Sequence, residues 1–509
     1  MVATSHPLAS RVALQMIERG GNAVDAGVAA ALLLGQCEPM MTGLGGDLFA
    51  LYVPPGGAPI ALNASGRAPA KVDAAALRAE MGENLAPRSV HAITVPGAVK
   101  GFCRLADDHG TLGLDTLLAP AIDFAAAGIP VAPRTAFDWV GGAEKLWGAG
   151  ITHFSNSGAG YAEGDLFRLT AHVPVLKAIA EQGAAGFYEG PVAEDMVAAL
   201  QAAGGTHTLD DFAATGCDYV SPISTTYRGH ELLELPPNGH GATALLLLDM
   251  LAGFDLPALD PFGADRIHLE AEAVKLAYDA RDRFISDPSS IGDGLERLRG
   301  SAAGLASLIQ PDRALPMPEL RSKAGAVHKD TIYLCVVDPA GGVLSLIYSI
   351  FHDFGSGLAS EKYGILFQNR GAGFTLAEGH CNQIAGGKRP LHTIIPALLM
   401  KDGRPVMPFG VMGGAYQPTG HARVVTNLLD YGFDLQTALD APRTFPEAGG
   451  LKIETTLPAS VREQLSGKGH RLFEADKPIG GAQAIWIDHD RGILVGASDP
   501  RKDGCALGY

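Results

Sequence analysis

Thr331 is the residue whose position invites chemistry. It opens a β-branched and aromatic run, Thr331-Ile-Tyr-Leu-Cys-Val-Val-Asp338, directly after a stretch rich in Pro, Gly and charge that ends at Asp330. A threonine at the start of such a run is most simply an ordinary strand former. If the Asp330–Thr331 peptide bond is cut, Thr331 gains a free α-amino group with a reference pKa of about 7.7–8.0, partly neutral at pH 7. One residue then supplies both a nucleophilic hydroxyl and the base that takes its proton. Spacing alone leaves both readings open.

Other chemistries find less support. The sixteen histidines show no H-x-x-x-H, H-E-x-x-H or mixed Cys/His ligand spacing, so no metal is expected. His230 and His240 flank a Pro-Pro turn and read as structural. No G-x-S-x-G nucleophile elbow occurs. The segment Met41-Thr-Gly-Leu-Gly-Gly-Asp47 runs from a Gly-rich turn into a strand, the reverse of a dinucleotide fingerprint, so no cofactor is expected either.

These residues need elements to hold them. Apolar spacing predicts a helix over Pro7 to Glu18, stopped by Gly20-Gly21, and a second from Ala23 to Leu34 opened by an Asn22/Asp25 capping box. The second is apolar all round and belongs between layers. Strands are expected at Leu48 to Val53, in a hairpin of Thr331 to Asp338 with Val343 to Phe351, at Thr393 to Met400, and at Ala484 to Asp488 with Gly492 to Val495. Helices are expected at Leu118 to Gly128, Val192 to Ala203, Asp265 to Phe284 and Ala422 to Leu429. The charges of Asp265 to Phe284 (Glu270, Glu272, Lys275, Asp279, Arg281, Arg283) read as a solvated or salt-bridged face. Residues 309–330 read as an exposed, mobile connection. Strands in both halves among Ala-rich helices make the class layered α/β or α+β.

Composition narrows the partners. With 39 Lys plus Arg against 55 Asp plus Glu the net charge is −16, so nucleic-acid binding is set aside. At 47% hydrophobic and 18% charged residues, 509 residues can bury a large core in two to four domains or one large one. Apolar segments reach about ten residues, short of the roughly 20 that span a bilayer, so no membrane partner is expected. Six scattered cysteines and no visible signal peptide fit reduced thiols and a cytoplasmic location, or a periplasmic one if a leader has been removed.

Five segments together resemble the γ-glutamyltranspeptidase family of N-terminal nucleophile enzymes. They are Gly20-Gly-Asn-Ala-Val-Asp-Ala26, Val95-Pro-Gly-Ala-Val-Lys-Gly101, Asp330-Thr-Ile-Tyr-Leu-Cys-Val-Val-Asp338, Gly387-Lys-Arg-Pro-Leu391 and Met412-Gly-Gly414. They follow the family's order across nearly the whole chain. The resemblance implies an α+β, four-layer αββα sandwich, made as a precursor that cuts itself between Asp330 and Thr331. Residues 1–330 would form a large subunit and 331–509 a small one, together one αββα unit, with dimerisation left open. It also implies Thr331 as nucleophile, Ser349 as a hydroxyl partner, and Gly413 and Gly414 as an oxyanion hole. The substrate would be a small-molecule amide, with water or an amine as acceptor, as in γ-glutamyl transfer or glutathione hydrolysis.

Substrate recognition departs from the family pattern. The Arg that holds the α-carboxylate of a γ-glutamyl group aligns with Ser65, with Arg67 two residues on. An Asn that contacts the glutamyl group aligns with Phe351. The Gln and Asp that grip the α-ammonium align with Arg370 and Gly373, and a Ser-Ser pair with His392 and Thr393. A buried ammonium without its counter-charge costs about 2–5 kcal/mol, and Arg370 would repel it further. The expected acyl group therefore carries a carboxylate but no α-ammonium, anchored by Arg370 or Arg67; glutaryl or a shorter dicarboxylic monoamide fits, as in the family's glutaryl acylases and oxamate amidohydrolases. The alternatives are an uncleaved family member acting as a binding or scaffold protein and, more remotely, a metal- or cofactor-dependent enzyme.

Overall fold

The hairpin that carries Thr331 sits at the centre of the architecture. In the computed structural model, which describes residues 1–316, 331–447 and 449–509, strands Ile332–Val337 and Val343–Ser349 pair antiparallel, with Tyr348 opposite Ile332. Asp338 closes the turn, its carboxylate accepting from the N–H groups of Ala340 and Gly342 at 2.9 and 2.8 Å. A seven-stranded sheet forms around this pair, in the order Cys505–Leu507, Val2–Thr4, Ile332–Val337, Val343–Ser349, Asp47–Val53, Ile60–Ala64, Asp218–Val220. A six-stranded sheet runs Ile493–Ser498, Gly481–Asp488, Arg404–Met412, Ala397–Lys401, His230–Glu234, Ile223–Tyr227.

Strand alternation assigns the layers. Successive side chains point to opposite faces. Tyr333, Cys335, Val337, Phe49, Leu51 and Ile347 meet Leu233, Leu398, Met412 and Ile485 in one core between the sheets. Their neighbours Ile332, Leu334, Val336, Leu344, Leu346 and Tyr348 pack instead against Pro7–Glu18, Ala23–Cys37, Ala98–His109 and Leu114–Ala127. Behind the second sheet lie Gly241–Leu251, Ala264–Phe284 and Gln417–Leu429. The result is the expected α+β sandwich of four layers, αββα. Ala23–Cys37 is buried along its whole length and opens with the Asn22/Asp25 capping box.

Some expectations are adjusted: the helix expected from Leu118 starts at Leu114. The strand expected from Thr393 starts at Ala397, because Pro396 has no N–H for the ladder and Thr393 is engaged by a side chain. The last expected helix starts earlier, at Gln417. The face of Ala264–Phe284 read as solvated or salt-bridged is largely salt-bridged and buried: Glu270 joins Arg266 at 2.7 Å and also Arg423, and Lys275 meets Glu272 at 2.7 Å.

Of the connection 309–330, residues 309–316 are described and are held in place. Leu315 N–H donates to Glu272 at 2.7 Å, Lys275 donates to the Leu315 carbonyl at 2.9 Å, and Ala314 N–H donates to the Lys468 carbonyl at 2.8 Å. Residues 317–330, with Asp330, lie outside the described residues. No described helix is long and apolar enough to cross a membrane.

Glu270→Ala leaves Arg266 and Arg423 as buried cations that share no carboxylate. The expected loss is about 3–5 kcal/mol of unfolding free energy, measured by urea titration. A loss below about 1 kcal/mol would mean that the pair contributes nothing to stability.

Candidate active site

The hairpin register gathers the first three groups. Ser349 lies opposite Asp47, and Tyr348 opposite Ile332, so one step further along the ladder sets Ser349 against Thr331. Alternation turns all three side chains toward the gap between the sheets, at the end where that gap runs out of apolar residues. Thr331 is 1% exposed, and its Oγ1 is 3.3 Å from Ser349 Oγ. Ser349 Oγ also accepts from the Phe351 N–H at 2.9 Å and from Arg370 Nη2 at 3.2 Å.

Arg370 is the unusual member. It sits on the single turn Arg370–Gly373, fully buried, with Nη1 donating to Thr393 Oγ1 at 2.8 Å. Its Cζ lies 4.1 Å from the centre of the Phe351 ring, a cation–π contact. Phe351 adopts φ +83, a left-handed conformation uncommon for a bulky side chain, and its ring stacks on His352 at 4.2 Å. Arg370 Nε has no hydrogen-bond partner, and among the described residues no carboxylate forms an ion pair with the guanidinium. Burial pulls its pKa down to about 9, with the charge of Asp47 acting in the opposite direction. A buried cation left this way is destabilising unless a ligand completes it.

Asp47 organises the other side. One carboxylate oxygen accepts from the N–H groups of Gly66 and Gly97 at 2.8 and 3.1 Å and from Gln368 Nε2 at 2.9 Å. The other faces His392 Nε2 at 3.0 Å. Burial, then the nearby Arg370, push the His392 pKa down to about 3, so the ring is neutral at ordinary pH. A carboxylate only accepts, so Nε2 holds the proton and Nδ1 accepts from the Ile394 N–H.

Gly413 and Gly414 follow strand Arg404–Met412 and have φ of +111 and +55, which favour glycine. They lead into helix Gln417–Leu429. The strand packs on the Thr331 strand closely enough that a Cβ on Gly410 would sit 2.3 Å from the Tyr333 ring.

Of the residues singled out in the sequence, Thr331, Ser349, Phe351, Arg370 and Thr393 form one connected cluster, and His392 joins through Asp47. Ser65 belongs to a neighbouring buried network, donating to Asn63 Oδ1 at 2.7 Å. Arg67 stands apart: it is partly exposed, bonded to the Gly387 carbonyl at 3.0 Å and within 3.8 and 3.7 Å of Asp218 and Asp287. Asp47, Gln368, Asn63 and Asn238 escaped the sequence reading. Only Asp47 carried a signal, as the first polar residue after Gly45-Gly46. At Gly46 a Cβ would strike the Ser349 carbonyl at 2.5 Å.

Elsewhere, His268, Glu272 and His470 form the one group among the described residues with gathered metal-ligand atoms. Those atoms are already committed. His268 Nε2 donates to the Gln310 carbonyl at 2.7 Å, its Nδ1 accepts from His470 Nε2 at 2.8 Å, and Lys275 occupies Glu272.

Two antiparallel sheets between helical layers, with a threonine at the start of a central strand, define the N-terminal nucleophile hydrolase architecture. The chain belongs to the γ-glutamyltranspeptidase family, whose description, Gamma-glutamyltranspeptidase, matches residues 9–509. It is 34% identical over 522 residues to a glutathione hydrolase-like YwrD proenzyme of Bacillus subtilis, covering 100% of this chain and 98% of that one. It is 35% identical over 534 residues to an oxamate amidohydrolase proenzyme of Klebsiella pneumoniae, with the same coverage. The crystal structure of a cephalosporin acylase from Bacillus halodurans superposes with a TM-score of 0.92 at 36% identity, covering 100% of this chain and 96% of that one. With hydrolases and acylases as its relatives, the protein is an enzyme, an amidohydrolase or acylase of this family.

The buried neutral histidines make stability pH-dependent. Burial lowers His172 and His207 to about 4, and His392 to about 3, against an unfolded value near 6.5. Between those limits the unfolded chain binds more protons, so their contribution is complete above about pH 6.5 and is lost as pH falls toward 4. His172→Gln should remove close to one proton from the slope of unfolding free energy against pH between 6.5 and 4. An unchanged slope would show that His172 does not titrate on unfolding.

Proposed function

We propose that the protein is a self-processing threonine amidohydrolase whose acyl group carries a carboxylate and no α-ammonium. The observation that carries this reading is a buried guanidinium, unmatched by any described carboxylate, two hydrogen bonds from the Thr331 hydroxyl. Two relatives named as proenzymes support a processed precursor.

In the proposed cycle Thr331 Oγ1 first attacks the Asp330 carbonyl, and water hydrolyses the resulting ester to leave a free Thr331 amine. Residues 1–330 and 331–509 then remain as one body, because strand Ile332–Val337 is flanked by Val2–Thr4 from the first piece. In turnover the amine takes the hydroxyl proton as Oγ1 attacks the amide carbonyl of the substrate. Ser349 Oγ, which also accepts from the Phe351 N–H and Arg370 Nη2, lies within hydrogen-bonding reach of the threonine oxygen and accepts its hydrogen bond in the resting arrangement. The N–H groups of Gly413 and Gly414 receive the oxyanion, each such donor contributing about 2.7–4 kcal/mol. The leaving amine departs with the proton held by the α-amine. Water or an acceptor amine then attacks the ester and releases the acid or a new amide.

Arg370 forms the carboxylate site, its planar fork matching two oxygens. A γ-glutamyl α-ammonium would enter beside this cation, and the nearby Asp47 carboxylate already accepts from Gly66, Gly97, Gln368 and His392. Arg67, already paired at the surface, is the weaker anchor.

Thr331→Ala should abolish both processing and turnover, because one hydroxyl serves both. Intact mass under denaturing conditions should show two fragments joined at Asp330–Thr331 for the parent and one chain of about 52.8 kDa for the variant. A variant that still splits would refute the assignment. A parent that stays whole when folded and aged would favour a binding or scaffold protein. Glutaryl p-nitroanilide should be hydrolysed in preference to the γ-glutamyl compound, and the opposite order would remove the proposed acyl class.

A further inference from the structure

We infer that Gln417, His421 and Glu234 are positioning residues for the oxyanion turn: they hold the chain leading into it so that the Gly413 and Gly414 N–H groups stay aimed at the acyl carbonyl. This rests on the reading above, in which those two N–H groups receive the oxyanion, and it adds what keeps them in place.

The device begins with a ladder that stops short. Strand Ala397–Lys401 pairs with Arg404–Met412 as far as Ala397 opposite Phe409. Continuing that register would set Ile395 against Val411. Pro396 interrupts the ladder, and both N–H groups go to side chains instead: Ile395 donates to Gln417 Oε1 at 2.9 Å and Val411 to His421 Nε2 at 3.2 Å. Gln417 and His421 stand four residues apart on one face of helix Gln417–Leu429, and both are fully buried. Val411 lies two residues before Gly413. Ile395 lies two residues after Thr393, which accepts from Arg370 Nη1. One helical turn thus ties the oxyanion turn to the segment that holds the guanidinium.

His421 accepts from Val411 only when its proton is on Nδ1. Glu234 Oε1, 2.6 Å from Nδ1, selects that tautomer. Burial drives both groups toward their neutral forms, taking His421 down to about 3 and Glu234 well above the usual carboxylate range. Glu234 Oε2 has no hydrogen-bond partner among the described residues. Replacing a buried polar pair by apolar side chains of similar volume is often neutral or stabilising, so stability alone does not call for this one. The turn is also braced from within and from a second helix: Tyr416 N–H donates to the Gly413 carbonyl at 3.0 Å, and the Tyr278 hydroxyl donates to the Ala415 carbonyl.

The experiment compares kcat and KM of the processed parent with those of Gln417→Met, Glu234→Leu and Glu234→Gln, on whichever of glutaryl and γ-glutamyl p-nitroanilide the parent cleaves faster. A misplaced turn loses stabilisation that exists only in the transition state. Gln417→Met and Glu234→Leu should therefore lower kcat by about tenfold to a hundredfold and leave KM within about threefold. Glu234→Gln, whose carbonyl still accepts from Nδ1, should recover most of the kcat that Glu234→Leu loses. Unchanged kcat in Gln417→Met and Glu234→Leu, a loss carried by KM alone, or no recovery in Glu234→Gln overturns the positioning role. So does failure of all three variants to yield folded, processed enzyme, which would assign these groups to the fold or to maturation. Gly413→Ala keeps the two readings apart, because Gly413 has φ +111 and a Cβ there displaces the turn directly. Unchanged kcat in folded Gly413→Ala overturns the oxyanion reading itself. A large loss in Gly413→Ala beside unchanged kcat in the other variants overturns only the positioning role. A processed parent that cleaves neither compound overturns both.

Discussion

The register of one antiparallel hairpin sets the geometry on which the rest of the protein depends. With Tyr348 against Ile332 and Ser349 against Asp47, three polar side chains share one face at one end of the first sheet. A slip of one residue would turn them into the helical layer and bring Ile332, Leu334 and Tyr348 into the gap between sheets. Both faces of that sheet are packed, so such a slip would exchange two complete hydrophobic surfaces. The apolar alternation that builds the sandwich is thus also what aims Thr331. No separate device is needed to point it toward Ser349.

The charges in the site follow from the same burial. Asp47 is surrounded by donors: two glycine N–H groups, an amide and an imidazole. Its charge is therefore distributed over fixed hydrogen bonds and reaches Arg370 only through space. Arg370 has no comparable shell, resting on a ring, two hydroxyl oxygens and an unpartnered Nε. The fold thus supplies an anion with nearly full solvation and a cation with partial solvation a short distance away. On the proposed reading, an anionic ligand would complete the second without disturbing the first. A zwitterionic ligand would complete it with one end and leave its own ammonium unmatched, in keeping with the departures at Ser65, Phe351 and Arg370.

Much of this was legible in the sequence where the signal is local. The Asn22/Asp25 capping box, the apolar helix after it and the turn at Pro339 to Gly342 all depend on neighbours within a few residues, and each appears where expected. The Thr393 strand was overextended because a β-branched run outweighed Pro396 in the pattern. The face of Ala264–Phe284 admitted a solvated reading because i, i+4 charges look alike whether water or Arg423 lies opposite; only the tertiary structure brings Arg423 to Glu270. Gln368, Asn63 and Asn238 were invisible for the same reason, and Asp47 showed only through its place after Gly45-Gly46. Asp47 and Gln368 are separated by 321 residues in the chain, and nothing in either neighbourhood marks the other.

Placement of Thr331 also constrains how the proposed precursor can mature. Thr331 is buried at the mouth of the sandwich, and its strand lies between Val2–Thr4 and Val343–Ser349. A central strand acquires its two neighbours only when the long-range pairings of the first sheet have formed. The hydroxyl is therefore brought beside Ser349 by folding itself, and an attack on the preceding carbonyl becomes an intramolecular reaction between positioned groups. Residues 309–316 are tied to Glu272, Lys275 and Lys468. In the proposed maturation folding therefore precedes cutting, because only the folded sheet sets Thr331 beside Ser349.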